Sequence, residues 1–397
     1  MPFDTQIKLP FQRSGEGDGP LFAEFFAGIG LMRLGLEAAG WRIGWANDID
    51  SMKYRLYDAH FGDAAEHFEL EDVHKVEADS LPAVELATAS FPCTDLSLAG
   101  GRKGINAGES SAFWGFRDVV AGMEHRPRYI LLENVPGFLT SHGGQDFEQA
   151  MLALNELGYT VDPFFVDAKW FVPQSRLRLF VVGELEGEES LGDMKPTRTR
   201  PEAIQRFIRD HQDIAWGVRT LPDPPERSGH LLNNIVEKLK RGDNRWWSDD
   251  RVDYLVNQMS DKHYASLEPL IDKAKWSYGT VFRRVRKQGD GSKRSMAELR
   301  LDGIAGCLRT PKGGSGRQIL VQAGYGQVRA RLLTPRECAR LMGADEFQLS
   351  GTDNEALFGF GDAVCAKAVS WIALNRLMLT TSQENNDSDR SVHKLVS

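Results

Sequence analysis

Residues 21–50 read LFAEFFAGIGLMRLGLEAAGWRIGWANDID, and this stretch decides the fold. Two short apolar runs, in LFAEFFAG and WRIGWAND, flank LMRLGLEAAG, whose apolar spacing is helical, so the stretch reads as strand, helix, strand. Further apolar runs ending in loops follow at 86–90, 129–132 and 179–182, with helix-compatible stretches between them. Repeated β–α units predict an α/β fold, doubly wound around a mostly parallel, Rossmann-like sheet with helices on both faces.

The 397 residues exceed what one hydrophobic core usually organises, so two folded units are expected. Composition agrees, with 41% apolar and 26% charged residues, which is neither disorder nor coiled coil. The first residues lack a secretory h-region and no run suggests a membrane span, so a cytoplasmic location is expected. Cys93, Cys307, Cys338 and Cys365 are widely spaced without a Cys-x-x-Cys pair, and no metal site is expected.

Charge is uneven. Between Met194 and Arg317 there are 25 Lys and Arg against 16 Asp and Glu, a net +9 that leaves −17 on the remainder of a chain of net −8. A basic module on an acidic body is the pattern expected where one face meets phosphate. The acidic, Gly-containing ELEGEES marks a boundary, and α/β character is expected to resume at QILVQAGYG, with helices over 334–342 and 363–379. The expected division is therefore an N-terminal extension 1–20, a first catalytic part 21–185, an inserted domain 186–322, a returning catalytic part 323–382 and a disordered tail 383–397.

Strand ends carry the candidate residues, because ligands of doubly wound sheets lie there. Phe26, Ala27, Gly28, Ile29 and Gly30 open a helix after the first strand, where small residues let a ligand approach the backbone or simply let helix and strand pack. Arg33 stands where a dinucleotide fingerprint has its third glycine, which counts against NAD or FAD. At the second strand's end Asp48 can accept from ribose hydroxyls or cap the next helix, and Ile49 can cover an adenine face. Asp79, beside Ser80, is placed after the third strand as an acceptor for an adenine amino group. Such a pocket lacks a pyrophosphate cradle and has the shape of S-adenosylmethionine. The fourth run ends in Pro92-Cys93, a candidate thiolate nucleophile or a small buried hydrophobe. The fifth ends in Glu133, an expensive place for a carboxylate unless it is used. Arg176 and Arg178 alternate onto one face, so that one can touch a substrate while the other braces the site.

Six stretches in order resemble the DNA cytosine-5 methyltransferase family: Phe26-x-Gly28-x-Gly30, Pro92-Cys93, Glu133-Asn134-Val135, Gln174-x-Arg176-x-Arg178, the run from Arg331 to Leu341, and Phe360-Gly361-Asp362-Ala363-Val364. The chain has Thr94 and Asp362 where the family usually has Gln and Asn. The resemblance implies a methyltransferase sheet with an inserted target-recognition domain, S-adenosylmethionine as cofactor, and duplex DNA as partner of a monomeric enzyme. It implies Cys93 attacking carbon 6 of a flipped-out cytosine, Glu133 at N3 and the exocyclic amine, and Arg176 at O2. Pro92, Asp362, Ala363 and Val364 would join the cofactor site.

The Gly-rich stretch 99–104 is expected to close over the flipped base, with Ser97, Arg102 and Lys103 near phosphate. In the insert, Arg283, Arg284, Arg286, Lys312 and Arg317 are expected to contact DNA, with Trp216, Trp246, Trp247 and Trp276 nearby. The setting would be restriction-modification or phage defence. Two other readings stay open, a tRNA cytosine-5 methyltransferase and a catalytically silent DNA-binding regulator.

Overall fold

The larger sheet is built from seven strands, which are β1 (Leu21–Phe25), β2 (Arg42–Asp48), β3 (Phe68–Leu70), β4 (Leu86–Ala89), β5 (Tyr129–Asn134), β6 (Tyr159–Asp167) and β7 (Leu177–Leu185). This is a computed structural model, and it describes residues 19–92, 111–226, 231–287, 291–310 and 317–377. The strand order is β3-β2-β1-β4-β5-β7-β6. All neighbours pair parallel except β7, which runs antiparallel to both β5 and β6. The expected doubly wound, mostly parallel sheet is therefore present.

Every residue of β4, β5 and β6 is buried, as both faces of this sheet are covered. One face packs on α1 (Leu31–Glu37) and on the last helices of the chain. The other packs on α3 (Ala112–Gly122) and α4 (Gln145–Glu156), while α2 (Ser51–Phe61) follows β2. The strand order reverses between β1 and β4, which places the crevice for a ligand at the carboxyl ends of those two strands.

A second, antiparallel sheet has the order β11-β10-β8-β9, from β8 (Ser277–Lys287), β9 (Lys293–Arg300), β10 (Ile319–Gly324) and β11 (Gln327–Leu332). Val252, Leu255 and Leu267, from α5 (Asp249–Val256) and α6 (Asp261–Ile271), fill one face together with Val281, Ile319 and Val321.

The boundaries differ from those expected. QILVQAGYG does not rejoin the large sheet: β10 pairs with β8 and β11 with β10, and the return begins at α7 (Pro335–Leu341). At the other end, Ile204, Phe207 and Trp216 pack in the core of the large sheet, and Trp216 bridges Val161 there. Alternating apolar residues say that a strand forms, whereas its partner is set by long-range packing.

Two buried ion-pair networks fasten the parts. Asp162 on β6 binds Arg200 at 2.6 Å and Arg376 of the last helical turn at 2.9 Å. Arg331 on β11 and Glu337 on α7 pair at 2.5 Å with neither side chain exposed, and Glu337 also completes a capping box with Thr334. Chain order then continues with α8 (Asp353–Asp362) and α9 (Ala366–Ile372). Asp353–Leu377 is the one described stretch long and apolar enough to span a membrane by length and composition, and it is mostly buried inside the protein.

Candidate active site

After β1 the backbone turns through left-handed geometry at Phe26 (φ 58°), Gly28 (φ 59°) and Gly30 (φ 80°). The two glycines do different things. A Cβ on Gly30 would come within 2.4 Å of Phe61 and 2.8 Å of Tyr57, so Gly30 lets α2 pack close. A Cβ on Gly28 would meet nothing nearer than 4.0 Å, so the backbone there lies open to a ligand. Ala27 and Ile29 are buried beneath this turn.

Asp48, at the end of β2, is buried and accepts from the Gly28 N–H and the Asp50 N–H, each at 2.9 Å. Asp50, not Asp48, caps α2. Burial raises the Asp48 pKa, with Lys53 and the two N–H groups opposing. Lys53 lies between Asp48 and Asp362, 3.3 Å from the Asp362 carboxylate; burial lowers its pKa but these acids outweigh it, and the net direction is up. Ile49 is 69% exposed, a large apolar side chain standing at the crevice mouth.

Asp79 needs correction as a strand-end acid. The third strand ends at Leu70, nine residues before Asp79, and Asp79 and Ser80 lie exposed in a 3₁₀ turn with Ser80 Oγ donating to Glu77 O. The acids that do follow β3 are Glu71 and Asp72, and Asn47 at the end of β2 holds this loop by donating to the carbonyls of Glu69 and Glu71. A strand of three residues is too short to show period-2 alternation, which is why its end was misplaced.

Pro92 leaves β4 toward the same edge, after buried Phe91. Cys93, Thr94, Ser97, Arg102 and Lys103 lie outside the described residues, as does Lys312. Asn134 at the end of β5 donates to the Phe91 carbonyl at 3.2 Å and so couples Glu133 to the segment that carries Cys93. Glu133 is 7% exposed, and its carboxylate meets Arg178 Nε at 2.9 Å.

The two arginines make different contacts. Arg176 is spent on structure: Nη1 donates to Leu308 O at 2.9 Å, and Nη2 to Ala363 O at 2.5 Å and Gly361 O at 3.2 Å. Gln174 completes the knot, donating to Leu341 O at 2.7 Å and accepting from Leu308 N–H at 2.9 Å. Alternation puts both guanidiniums near one edge but does not say which meets the carboxylate, and Arg178 does. Sequence reasoning also passed over Cys307, whose Sγ is 3.3 Å from Arg176 Nη1 and 4.0 Å from Arg178 Nη2. Burial raises the Cys307 pKa, yet Arg176 and Arg178 outweigh it and leave it lowered.

Ala363 contributes its carbonyl to Arg176, Val364 is buried behind it, and Asp362 faces Lys53, so the late motif reaches the crevice beside Asp48. In the smaller sheet Arg284 and Arg286 are exposed, Arg283 lies on the opposite, helix-covered face, and Arg317 binds Asn354 at 2.5 Å.

A switch-point crevice with an acid at the second strand end and an arginine-held carboxylate at the fifth defines a Rossmann-like methyltransferase. The model of the C-5 cytosine-specific DNA methylases matches residues 21–376, and the chain belongs to that family. It is a DNA cytosine-5 methyltransferase. Among similar proteins, the type II methyltransferase M.HhaI of Haemophilus parahaemolyticus is 27% identical over 90% of this chain and 94% of its own length. M.Bsp6I of Bacillus sp. is 30% identical over 82% of this chain and 87% of its own length. The crystal structure of the S. pombe Dnmt2 methyltransferase superposes with a TM-score of 0.58 at 18% identity, covering 90% of this chain and 98% of that one, a likeness of fold.

Proposed function

We propose that the enzyme methylates carbon 5 of a cytosine flipped out of a specific duplex sequence, through a transient bond from Cys93 to carbon 6. The observation that carries this reading is the Glu133–Arg178 pair at the end of β5, joined through Asn134 to the segment leading to Cys93.

Carbon 5 of cytosine is a weak nucleophile. Addition of the Cys93 thiolate to carbon 6 pushes an electron pair onto carbon 5 and negative charge toward N3 and O2. Glu133, in its carboxylic-acid form, donates to N3 and accepts from the exocyclic amine with its other oxygen, and Arg178, beside Glu133, reaches O2; both groups stabilise the charged ring more than the neutral one. After methylation, loss of the carbon 5 proton and expulsion of Cys93 restore aromaticity. A base within a duplex cannot reach these groups, so it must leave the stack at a cost of about a few kcal/mol.

The open backbone at Gly28, the buried Asp48 carboxylate and exposed Ile49 fit S-adenosylmethionine. Asp48 keeps a lone pair on each oxygen for ribose hydroxyls, Ile49 covers the adenine, and Asp72 replaces Asp79 as the acceptor for its amino group. Lys53 and Asp362 flank the same pocket. When bound, the cofactor supplies an electrophilic methyl group. The names of similar proteins, type II methyltransferases among them, support a place in restriction-modification.

Expression in a bacterium without cytosine methylation, followed by genome-wide bisulfite sequencing, tests this reading. Fully methylated cytosines within one short sequence are expected, and unmethylated DNA from cells with soluble protein contradicts it.

A further inference from the structure

Beyond Val281, β8 leaves β10 behind and, among the described residues, continues with β9 alone. The resulting two-stranded ribbon pairs Arg286 directly with Arg294 and Lys287 directly with Lys293. Like charges placed opposite one another destabilise an isolated sheet, and here two such pairs are adjacent. Among the described residues, Glu298 binds Arg286 and lies 3.5 Å from Arg284 Nε.

Side chains alternate along the ribbon, so Phe282, Arg284 and Arg286 share one face. That face looks toward the catalytic cleft. The guanidinium of Arg309 stacks over Phe282 at 5.3 Å, and Arg309 lies two residues from Cys307, which touches both site arginines. Positive charge therefore runs from Arg178 through Arg309 to Arg284 and Arg286.

We infer that this ribbon enters the major groove of the substrate duplex and that Arg284 and Arg286 each read a guanine near the target cytosine. The inference rests on the proposed DNA methylation. A two-stranded ribbon fits a groove ~12 Å wide, and the arginine fork matches the O6 and N7 acceptors of guanine. Residues two apart on a strand are about 7 Å apart, close to two base-pair steps. The two guanines are thus expected about two steps from one another. Glu298 holds both guanidiniums in position before DNA arrives, which limits the flexibility lost on binding.

The test is bisulfite sequencing of cells expressing the wild-type enzyme, Arg284→Lys, Arg286→Lys or Lys287→Ala. Lysine keeps the charge and loses the two-pronged contact. Each Arg→Lys variant is expected to lose preference at one position, with discrimination there falling ~10- to 100-fold, while other positions stay fixed. Lys287→Ala is expected to lower methylation of all sites alike. An unchanged methylated sequence in both Arg→Lys variants, or a loss at all sequences alike, overturns the inference. Absence of methylation with the wild-type enzyme would instead refute the underlying reading.

Discussion

Glu24 is an acid in the middle of β1, 2% exposed, with one carboxylate oxygen lacking a hydrogen-bond partner among the described residues. Burial pushes its pKa up to about 8, against a partial counter-pull from Arg33. The raised value fixes the sign of its effect: Glu24 favours folding below its unfolded value near 4.5, and that contribution is lost as pH rises through about 8. Glu24→Gln should therefore raise the melting temperature at pH 8.5 and leave it nearly unchanged at pH 5, in thermal melts across that range. The two site arginines separate by measurement in the same way. Arg178→Ala should keep the fold and lower the methyl-transfer rate about 100-fold. Arg176→Ala should strand several buried carbonyls and destabilise the protein by about 3 kcal/mol or more, visible in urea unfolding. Equal stability of the two variants would contradict this division of labour.

Among the elements, the helix α7 shows what is legible and what is not. Thr334-Pro335-Arg336-Glu337 announces a helix start, and the capping box is there. Nothing in that signature says that Glu337 also neutralises Arg331 on β11 and accepts from the Glu237 N–H. Glu337→Ala would leave Arg331 buried without its counter-charge and should cost about 3–5 kcal/mol, with the smaller sheet and α7 losing amide-exchange protection together. The strand ends of β2 and β5 are legible because each buried run stops at a polar residue: Asp48 and Glu133 stand out against what precedes them. β3 has no such contrast, so the place of Glu71 and Asp72 just after it is not legible. The hairpin of β10 and β11 was read as a strand but assigned to the wrong sheet, because pairing depends on residues more than thirty positions away. Local alternation placed Arg176 and Arg178 at one site, and only the carbonyls of Leu308, Gly361 and Ala363 decide which of them is already occupied.

In the whole molecule, Arg178 joins the large sheet to the basic insert, meeting Glu133 at 2.9 Å and lying 4.0 Å from Cys307. The uneven charge is visible in the sequence, whereas the contact of Arg309 with Phe282 of the smaller sheet is not. Parts distant in sequence converge: Gln174 and Arg176 bind the end of the insert and the late helices at once. The central claim, a thiolate bond to carbon 6 of cytosine in DNA, is open to direct measurement. The enzyme is incubated with S-adenosylmethionine and a duplex carrying 5-fluorocytosine at the target of the methylated sequence, and the product is weighed by intact-mass spectrometry. Fluorine at carbon 5 blocks the final proton loss, so the account predicts a stable complex with the mass of protein plus methylated strand, mapped to Cys93 by peptide digestion. A duplex that is bound and methylated at unmodified cytosines, yet gives no adduct when fluorinated, would contradict it.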